Sequence, residues 1–329
     1  MHRYPVALLA VLLLALAGCS SGDTPPPAAA PSADGAFPTT IDSALGPVTI
    51  PAEPQRVVTV GWGSQDAALA LGVVPVGMPD MTGDTDDGGG ILPWDKDKLQ
   101  GQNPTLLNST SSDLPFEQIT ALKPDVILAV NSGLTPEQYS TLSKIAPTVA
   151  YPGKPFLTSW QDQIKLVGQA LGEPQKAADL QRSTEETIAK AKAAHPEFAG
   201  KKAAFGSATE PGSYNLYLQS DSRVQLLHEL GFAVSPGLPT TAPSFAAKVS
   251  MEQVGRLDAD VLVSWYLAED VRRQVEANPV FQRSPAVQRK GYVPLTDPAM
   301  VYATSAVTVL SLPWMLDRYL PELSKAAKG

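Results

Sequence analysis

FEQITALKPDVIL, residues 116–128, is matched without gaps by MEQVGRLDADVLV, residues 251–263. The two stretches share Glu-Gln, then an aliphatic residue, a Leu, and Asp-Val leading into further aliphatics. Each reads as a helix start, a turn and a strand. Ser250 with Gln253 three residues on has the pattern of a capping box, and Pro115, in the place of Ser250, suits a first helical turn. Working outward, the same alternation surrounds both copies. RVVTV (56–60), SQDAALALG (64–72) and VVPVGM (73–78) precede the first, and a helix from Thr135 with Pro136 in its first turn, stopping at Pro147 before TVAY (148–151), follows it. After Lys202 it restarts with AAFGSA (203–208), SRVQLLHELG (222–231), DVLVSW (260–265) and YVPL (292–295). Short Val/Ile strands alternating with helices predict parallel sheets covered by helices, so the expected fold class is α/β with two Rossmann-like lobes.

The lobes are expected over residues 41–155 and 196–329, joined by a long backbone helix over 156–195. There Trp160, Ile164, Val167 and Leu171 form one apolar stripe, and Ala177, Leu180, Thr184 and Ile188 another. Pro174, between them, either opens a new helix or kinks a continuous one. The repeat then places Glu117 and Glu252 at equivalent points of two similar lobes. Taken singly, a first-turn glutamate complements the helix dipole by about 0.3–1 kcal/mol and needs no partner.

The composition narrows the possible roles. The chain has 329 residues, of which 43% are hydrophobic and 18% charged, enough for a substantial core. A net charge of −8 and scattered Lys and Arg exclude a nucleic-acid surface. His2 and Arg3 before an apolar run over residues 6–17 read as an export signal, with residues 1–18 as the signal peptide. LAGC (16–19) looks like the lipobox of bacterial lipoproteins, in which Cys19 would be acylated, as with palmitate, and become the new N-terminus. Cys19 is the only cysteine, so the exported part holds no disulfide. Residues 19–40, rich in Pro, Ala, Ser and Gly, read as a disordered tether.

RVVTVGWGSQDAALALGVVPVG (56–77), ALKPDVILA (121–129), LSKIAPTV (142–149), VSMEQVGRLDADVLVSW (249–265), FQRSPAVQRKGYVPL (281–295) and LSLPWMLDRYLPEL (310–323) stand in this order along the chain. Together they resemble the substrate-binding lipoproteins of ferric-siderophore ABC importers. These are class III periplasmic binding proteins of the ferric citrate and enterobactin receptor type, related to vitamin B12 and haem binders. The resemblance implies a receptor anchored on the extracytoplasmic face of the cell membrane, which captures a ferric siderophore between its lobes and delivers it to a permease. It also implies that Glu117 and Glu252 each pair with arginines of a permease subunit; such pairs are directional and set orientation.

A cleft of this kind lies beyond the strand ends. The candidates there are Trp62, between glycines after the first strand; Trp94, in a glycine-rich loop; Tyr151; Trp265 and Tyr266; and Tyr302. Asn131 and Ser132 also follow a strand. Arg223, which matches the family's arginine before a Val-Gln-Leu helix, either neutralises a negatively charged chelate or closes a structural salt bridge. His2, His195 and His228 do not cluster, so iron would arrive already chelated, and no resident cofactor or protein-bound metal is expected. Haem stays open, with Tyr151, Tyr266, Tyr302 or His228 as axial ligand. DTDDGGG (84–90) lacks the closing glutamate of a calcium loop. Nucleophile elbow, phosphate-loop, dinucleotide and zinc-protease motifs are missing, so no enzyme is expected. A cell-envelope scaffold that keeps the fold is the other alternative. The siderophore class is not readable at this level.

Overall fold

Val57, Val58 and Thr59 are β-branched and wholly buried, as a strand covered on both faces requires. The computed structural model describes residues 36–85, 87–108, 113–210 and 212–329. Cys19, the export signal and the tether up to residue 35 lie outside the described residues. A hairpin of β1 (Thr39–Ile41) and β2 (Val48–Ile50) opens the fold. The first lobe continues with β3 (Val57–Thr59), α1 (Ser64–Ala70), β4 (Gly77–Pro79), β5 (Thr105–Leu107), α2 (Phe116–Ala121), β6 (Val126–Ala129), α3 (Pro136–Leu142) and β7 (Thr148–Ala150). Its sheet is parallel throughout, in the order β5-β4-β3-β6-β7. The chain leaves β3 in one direction and returns on its other side at β6. The strand order therefore reverses between β3 and β6, the point at which such sheets open a crevice.

Two helices lead to the second lobe, α4 (Trp160–Ala170) and α5 (Pro174–Ala194). Pro174 occupies the first turn of α5, so the connector is two helices broken at residues 171–173. The 21 residues of α5 span about 32 Å at 1.5 Å each. Helix α4 packs on α1. The second lobe comprises β8 (Lys202–Ser207), β9 (Tyr214–Tyr217), α6 (Ser222–Glu229), β10 (Ala233–Val234), β11 (Ala246–Val249), α7 (Met251–Gly255), β12 (Val261–Trp265), α8 (Glu269–Ala277), α9 (Pro279–Gln282), α10 (Pro285–Gln288), β13 (Tyr292–Leu295), α11 (Pro298–Ser305) and α12 (Ser311–Lys328). The sheet order is β11-β9-β8-β12-β13, with β10 beside the start of β8. Strand β9 runs antiparallel to β8 and occupies the place that parallel β4 holds in the first lobe. Helix α5 packs against α4 and against α6 and α12 of the second lobe, so the two connector helices together brace both lobes.

The repeated stretch is α2–β6 in one lobe and α7–β12 in the other. Each strand sits between the lobe's first strand and its last, β3 and β7 or β8 and β13. Its shared aspartate has one structural role in both. Asp125 accepts from the amides of Gln55 and Arg56 at 2.7 and 2.9 Å, just before β3. Asp260 accepts from the amide of Lys202 at 2.8 Å, where β8 begins. Each aspartate fastens the start of its neighbouring strand. Ser250 and Gln253 form the expected capping box, whereas Pro115 stands one place before the first turn of α2, with no side-chain cap.

Residues 36–40 depart from the expected tether. Phe37, the first bulky apolar residue after the prolines, is buried against Gly172, and β1 begins at Thr39. The folded part therefore starts ahead of residue 41. The lobes share one base. Trp94 of the first lobe lies 5.0 Å from Trp314 and 6.3 Å from Tyr302, ring to ring. Buried Asp66 of α1 accepts from Trp94 Nε1 at 2.7 Å and from Thr308 Oγ1 at 2.6 Å.

Candidate functional site

The pairing of β3 with β6 runs past the strands themselves. Val60 N donates to Leu128 O and Trp62 N to Asn131 O, each at 2.9 Å, carrying the backbone to the lip of a cavity of about 370 Å³. Gly61 makes this approach with φ +81°, and a Cβ there would stand 2.7 Å from Asn131 O and Ser132 Cβ, so no side chain fits. Trp62 is thereby turned into the cavity, partly buried. Phe156 holds the left-handed conformation (φ 57°), which costs a residue with a Cβ about 1–2 kcal/mol. Its amide donates to Ser132 O at 3.1 Å, and its ring lies 4.6 Å from Trp62 and directly over Gly133.

The second lobe answers with side chains. Tyr217 ends β9, Phe245 precedes β11 and Trp265 ends β12, and all three line the cavity. Trp265 Nε1 donates to the Tyr217 hydroxyl at 2.8 Å, and the Tyr217 and Phe245 rings stack at 6.0 Å. Phe245 also reaches across to Trp62, 6.2 Å away, so aromatic rings from both lobes meet in one wall. Such surfaces grip a rigid, partly apolar body, with indole N–H and phenol O–H groups left for its polar atoms.

Arg223 closes the structural salt bridge that one of the two sequence readings expected, and does so at the cavity wall. It lines the cavity, with its guanidinium 4.3 Å above the Tyr217 ring, and Nη1 is bonded to both oxygens of Asp221 at 3.1 and 2.9 Å. Nε donates to Ser305 at 3.2 Å. Burial works against the charge of Arg223, and the Asp221 carboxylate outweighs it. Burial in turn pushes the Asp221 carboxyl above its ordinary value, with Arg223 opposing. Asp80 and Asp84 also line the cavity. One oxygen of Asp80 accepts from the amide and hydroxyl of Thr82, and burial pushes the Asp84 carboxyl up to about 6. Tyr302 lines the cavity, its buried hydroxyl has no hydrogen-bond partner among the described residues, and burial holds its phenol neutral.

Trp62, Arg223, Trp265 and Tyr302 are thus brought together as expected, while Trp94, Tyr151 and Tyr266 lie elsewhere. Trp94 is in the shared base because a buried indole needs an acceptor, and Asp66 supplies it. Tyr151 follows β7, the edge strand away from the reversal point, and its hydroxyl donates to Leu134 O at 3.0 Å. Tyr266 is adjacent to Trp265 and so faces the other way, buried, with its hydroxyl accepting from Tyr292 at 2.9 Å. His195 pairs with Glu197, and exposed His228 turns its ring to Phe232 O; neither lines the cavity. Glu117 and Glu252 are exposed in the first turns of α2 and α7, and neither forms an ion pair among the described residues.

The sequence reading missed Tyr217, Phe156 and Phe245. A lone Phe in the polar loop TTAPSFAAK (240–248) carries the same signal that singled out Trp94. Phe156 carries no comparable signal, since its place depends on a backbone conformation rather than on its neighbours in sequence.

The comparisons with known proteins cover this whole arrangement. Residues 57–299, from β3 into α11, match the family described as periplasmic binding protein. The Fe(3+) dicitrate-binding periplasmic protein FecB of Escherichia coli (strain K12) is 26% identical over 258 residues, 78% of this chain and 81% of its own. The putative ABC transporter substrate-binding lipoprotein YhfQ of Bacillus subtilis (strain 168) is 26% identical over 268 residues, 78% of this chain and 80% of its own. The crystal structure of PiaA from Streptococcus pneumoniae TIGR4 in complex with ferrichrome superposes with a TM-score of 0.80 at 33% identity, over 88% of this chain and 98% of that one. With the first sheet, the connector, the second sheet and most of the cleft inside the matched span, the chain belongs to the periplasmic binding protein family, whose members bind solutes and are not enzymes.

Proposed function

We propose that this protein is the ferric-siderophore receptor of an ABC importer, held at the extracytoplasmic face of the membrane by acylated Cys19. One observation carries the reading: aromatic rings from two lobes, Trp62, Phe156, Tyr217, Phe245 and Trp265, converge on one cavity at the reversal point of the first sheet. The likeness to PiaA, crystallised with ferrichrome, supports an iron chelate as cargo. The haem alternative finds no imidazole among the described residues of the cavity; of the two phenols there, Tyr302 is held neutral by burial and the Tyr217 hydroxyl is engaged by Trp265. A scaffold has no use for such a wall.

Docking falls to Glu117 and Glu252, each exposed at the same point of an equivalent α/β unit, with arginines of two permease subunits as partners. ATP hydrolysis belongs to the partner complex. The LAGC pattern and the likeness to a chain named a lipoprotein support the anchor at Cys19. No helix among the described residues is long and apolar enough to cross a membrane.

Tryptophan fluorescence of the purified protein, titrated with ferric siderophores, their iron-free forms and haem, tests the cargo. Saturable quenching by a ferric chelate, weakened about tenfold or more in Trp62→Ala or Trp265→Ala, is expected. Binding of no chelate below the millimolar range would hand the fold to the scaffold reading. Charge reversal at both Glu117 and Glu252 is expected to abolish iron uptake while leaving chelate affinity unchanged; a matching loss of affinity would remove the docking role.

A further inference from the structure

The charge on the cavity wall is unusual for a site that receives metal chelates. Among the described residues three carboxylate or guanidinium groups line it, Asp80, Asp84 and Arg223, and no Lys or His does. Arg223 brings no net charge, because Asp221 neutralises it within hydrogen-bond distance and both side chains are buried, at 3% and 0% exposure. Its Nε and Nη1 are committed to Ser305 and Asp221, and its face to Tyr217. Only Nη2 remains to donate to a ligand oxygen, as a dipole's end rather than a counter-ion. Asp80 and Asp84 are then left as an uncompensated negative pair. The positions outside the described residues near this part of the chain, 86 and 109–112, are Asp, Ser, Thr, Ser and Ser, and add no cation.

Iron(III) chelates differ sharply in charge. Three hydroxamates each contribute one negative charge and leave the complex neutral, or positive where an arm ends in an ammonium group. Three catecholates leave it triply negative, and citrate complexes are negative too. A polyanion entering this cavity would give up its hydration to face two like charges and no free cation, which costs affinity steeply. A neutral complex loses little, and its hydrocarbon arms meet Trp62, Phe156 and Leu267, the last 65% exposed at the rim. Resting on the receptor reading above, we infer that the cavity selects a ferric trihydroxamate, neutral or bearing a cationic arm, and rejects catecholate and citrate chelates, with Asp80 and Asp84 as the selecting residues.

The test is a competition series on the whole purified protein with the iron(III) complexes of desferrioxamine B, ferrichrome, enterobactin and citrate. The hydroxamates are expected to bind about 100-fold or more tightly than the two anionic chelates. Asp80→Asn/Asp84→Asn is expected to narrow that ratio about tenfold, with the gain on the anionic side. Since Asp80 also holds Thr82, Asp84→Asn alone serves as the second variant; among the described residues its carboxylate has no hydrogen-bond partner, and a smaller shift in the same direction is expected. Tighter binding of enterobactin or citrate, or a ratio unmoved in both variants, overturns the charge selection while the receptor reading stands. Failure of every chelate to bind overturns both.

Discussion

Close backbone approach shapes the first lobe's side of the cavity, and a hydrogen-bonded set of side chains shapes the second's. Around β3 and β6 the surface is shaped by Gly61 and Gly133, whose missing Cβ atoms let strand ends and the Phe156 ring close in. Around β9 and β12 it is shaped by Tyr217, Trp265 and the Asp221–Arg223 pair. The two lobes share the repeated helix–strand unit and differ in one strand: antiparallel β9 replaces parallel β4. A parallel strand presents its carboxyl end and following loop to the crevice. An antiparallel strand inserted there brings α6, and with it Arg223, against the cavity directly. Two lobes of one construction thus come to divide the labour, the first supplying a close contour with the carboxylates Asp80 and Asp84 and the second the Asp221–Arg223 pair with its hydrogen-bonded aromatic rings.

The largest expected effect breaks the second lobe alone. Asp221→Ala leaves Arg223 buried without its counter-charge and is expected to cost about 3–5 kcal/mol in urea unfolding. Adding Arg223→Met should restore much of it; if the double variant is no better than the single, the pair is not what holds that wall.

Next comes the seam between the lobes, where Asp66 and Asp95 are fully buried. Burial pushes Asp66 from 3.8 to about 7, and burial together with the neighbouring Asp66 pushes Asp95 up as well. The folded state therefore keeps protons that the unfolded chain has lost, and stability falls as pH rises from about 4 to 7, by an amount on the order of a few kcal/mol. Neither oxygen of Asp95 has a hydrogen-bond partner among the described residues. Asp95→Asn is expected to flatten the fall and raise the melting temperature at neutral pH. Melting curves collected across this range check both points.

The smallest effect sharpens the likeness of the lobes. Asp125 holds two backbone amides and Asp260 one. Replacing either by Ala is expected to cost about 1–3 kcal/mol, with Asp125 the more expensive. Hydrogen exchange should show the loss at β3 or β8 respectively.

The alternation of strands and helices, the two lobes and the repeat were legible in the sequence, because periodicity reports which faces are buried. The repeat's aspartates were harder to read, since their partners lie about 60 to 70 positions away. Within the site, Trp62, Arg223, Trp265 and Tyr302 were found and Trp94, Tyr151 and Tyr266 were misplaced. Each misplacement has its own origin. A residue's position after a strand says nothing of whether that strand is central or at the edge, which excluded Tyr151, and neighbouring residues on a strand face opposite sides, which separated Tyr266 from Trp265. Trp94 was lost to the core by a partner, Asp66, that sequence order does not bring near it.

The pair of connector helices, α4 on the first lobe and the about 32 Å of α5 on the second, has a practical consequence for anyone turning this receptor into a probe. Dyes fixed at the far tips of the lobes would report little, because the bracing helices and the shared base of Trp94, Tyr302 and Trp314 oppose a wide swing. The informative place for a label is the rim, at Leu267, where an arriving chelate changes the surroundings without any need for the frame to bend.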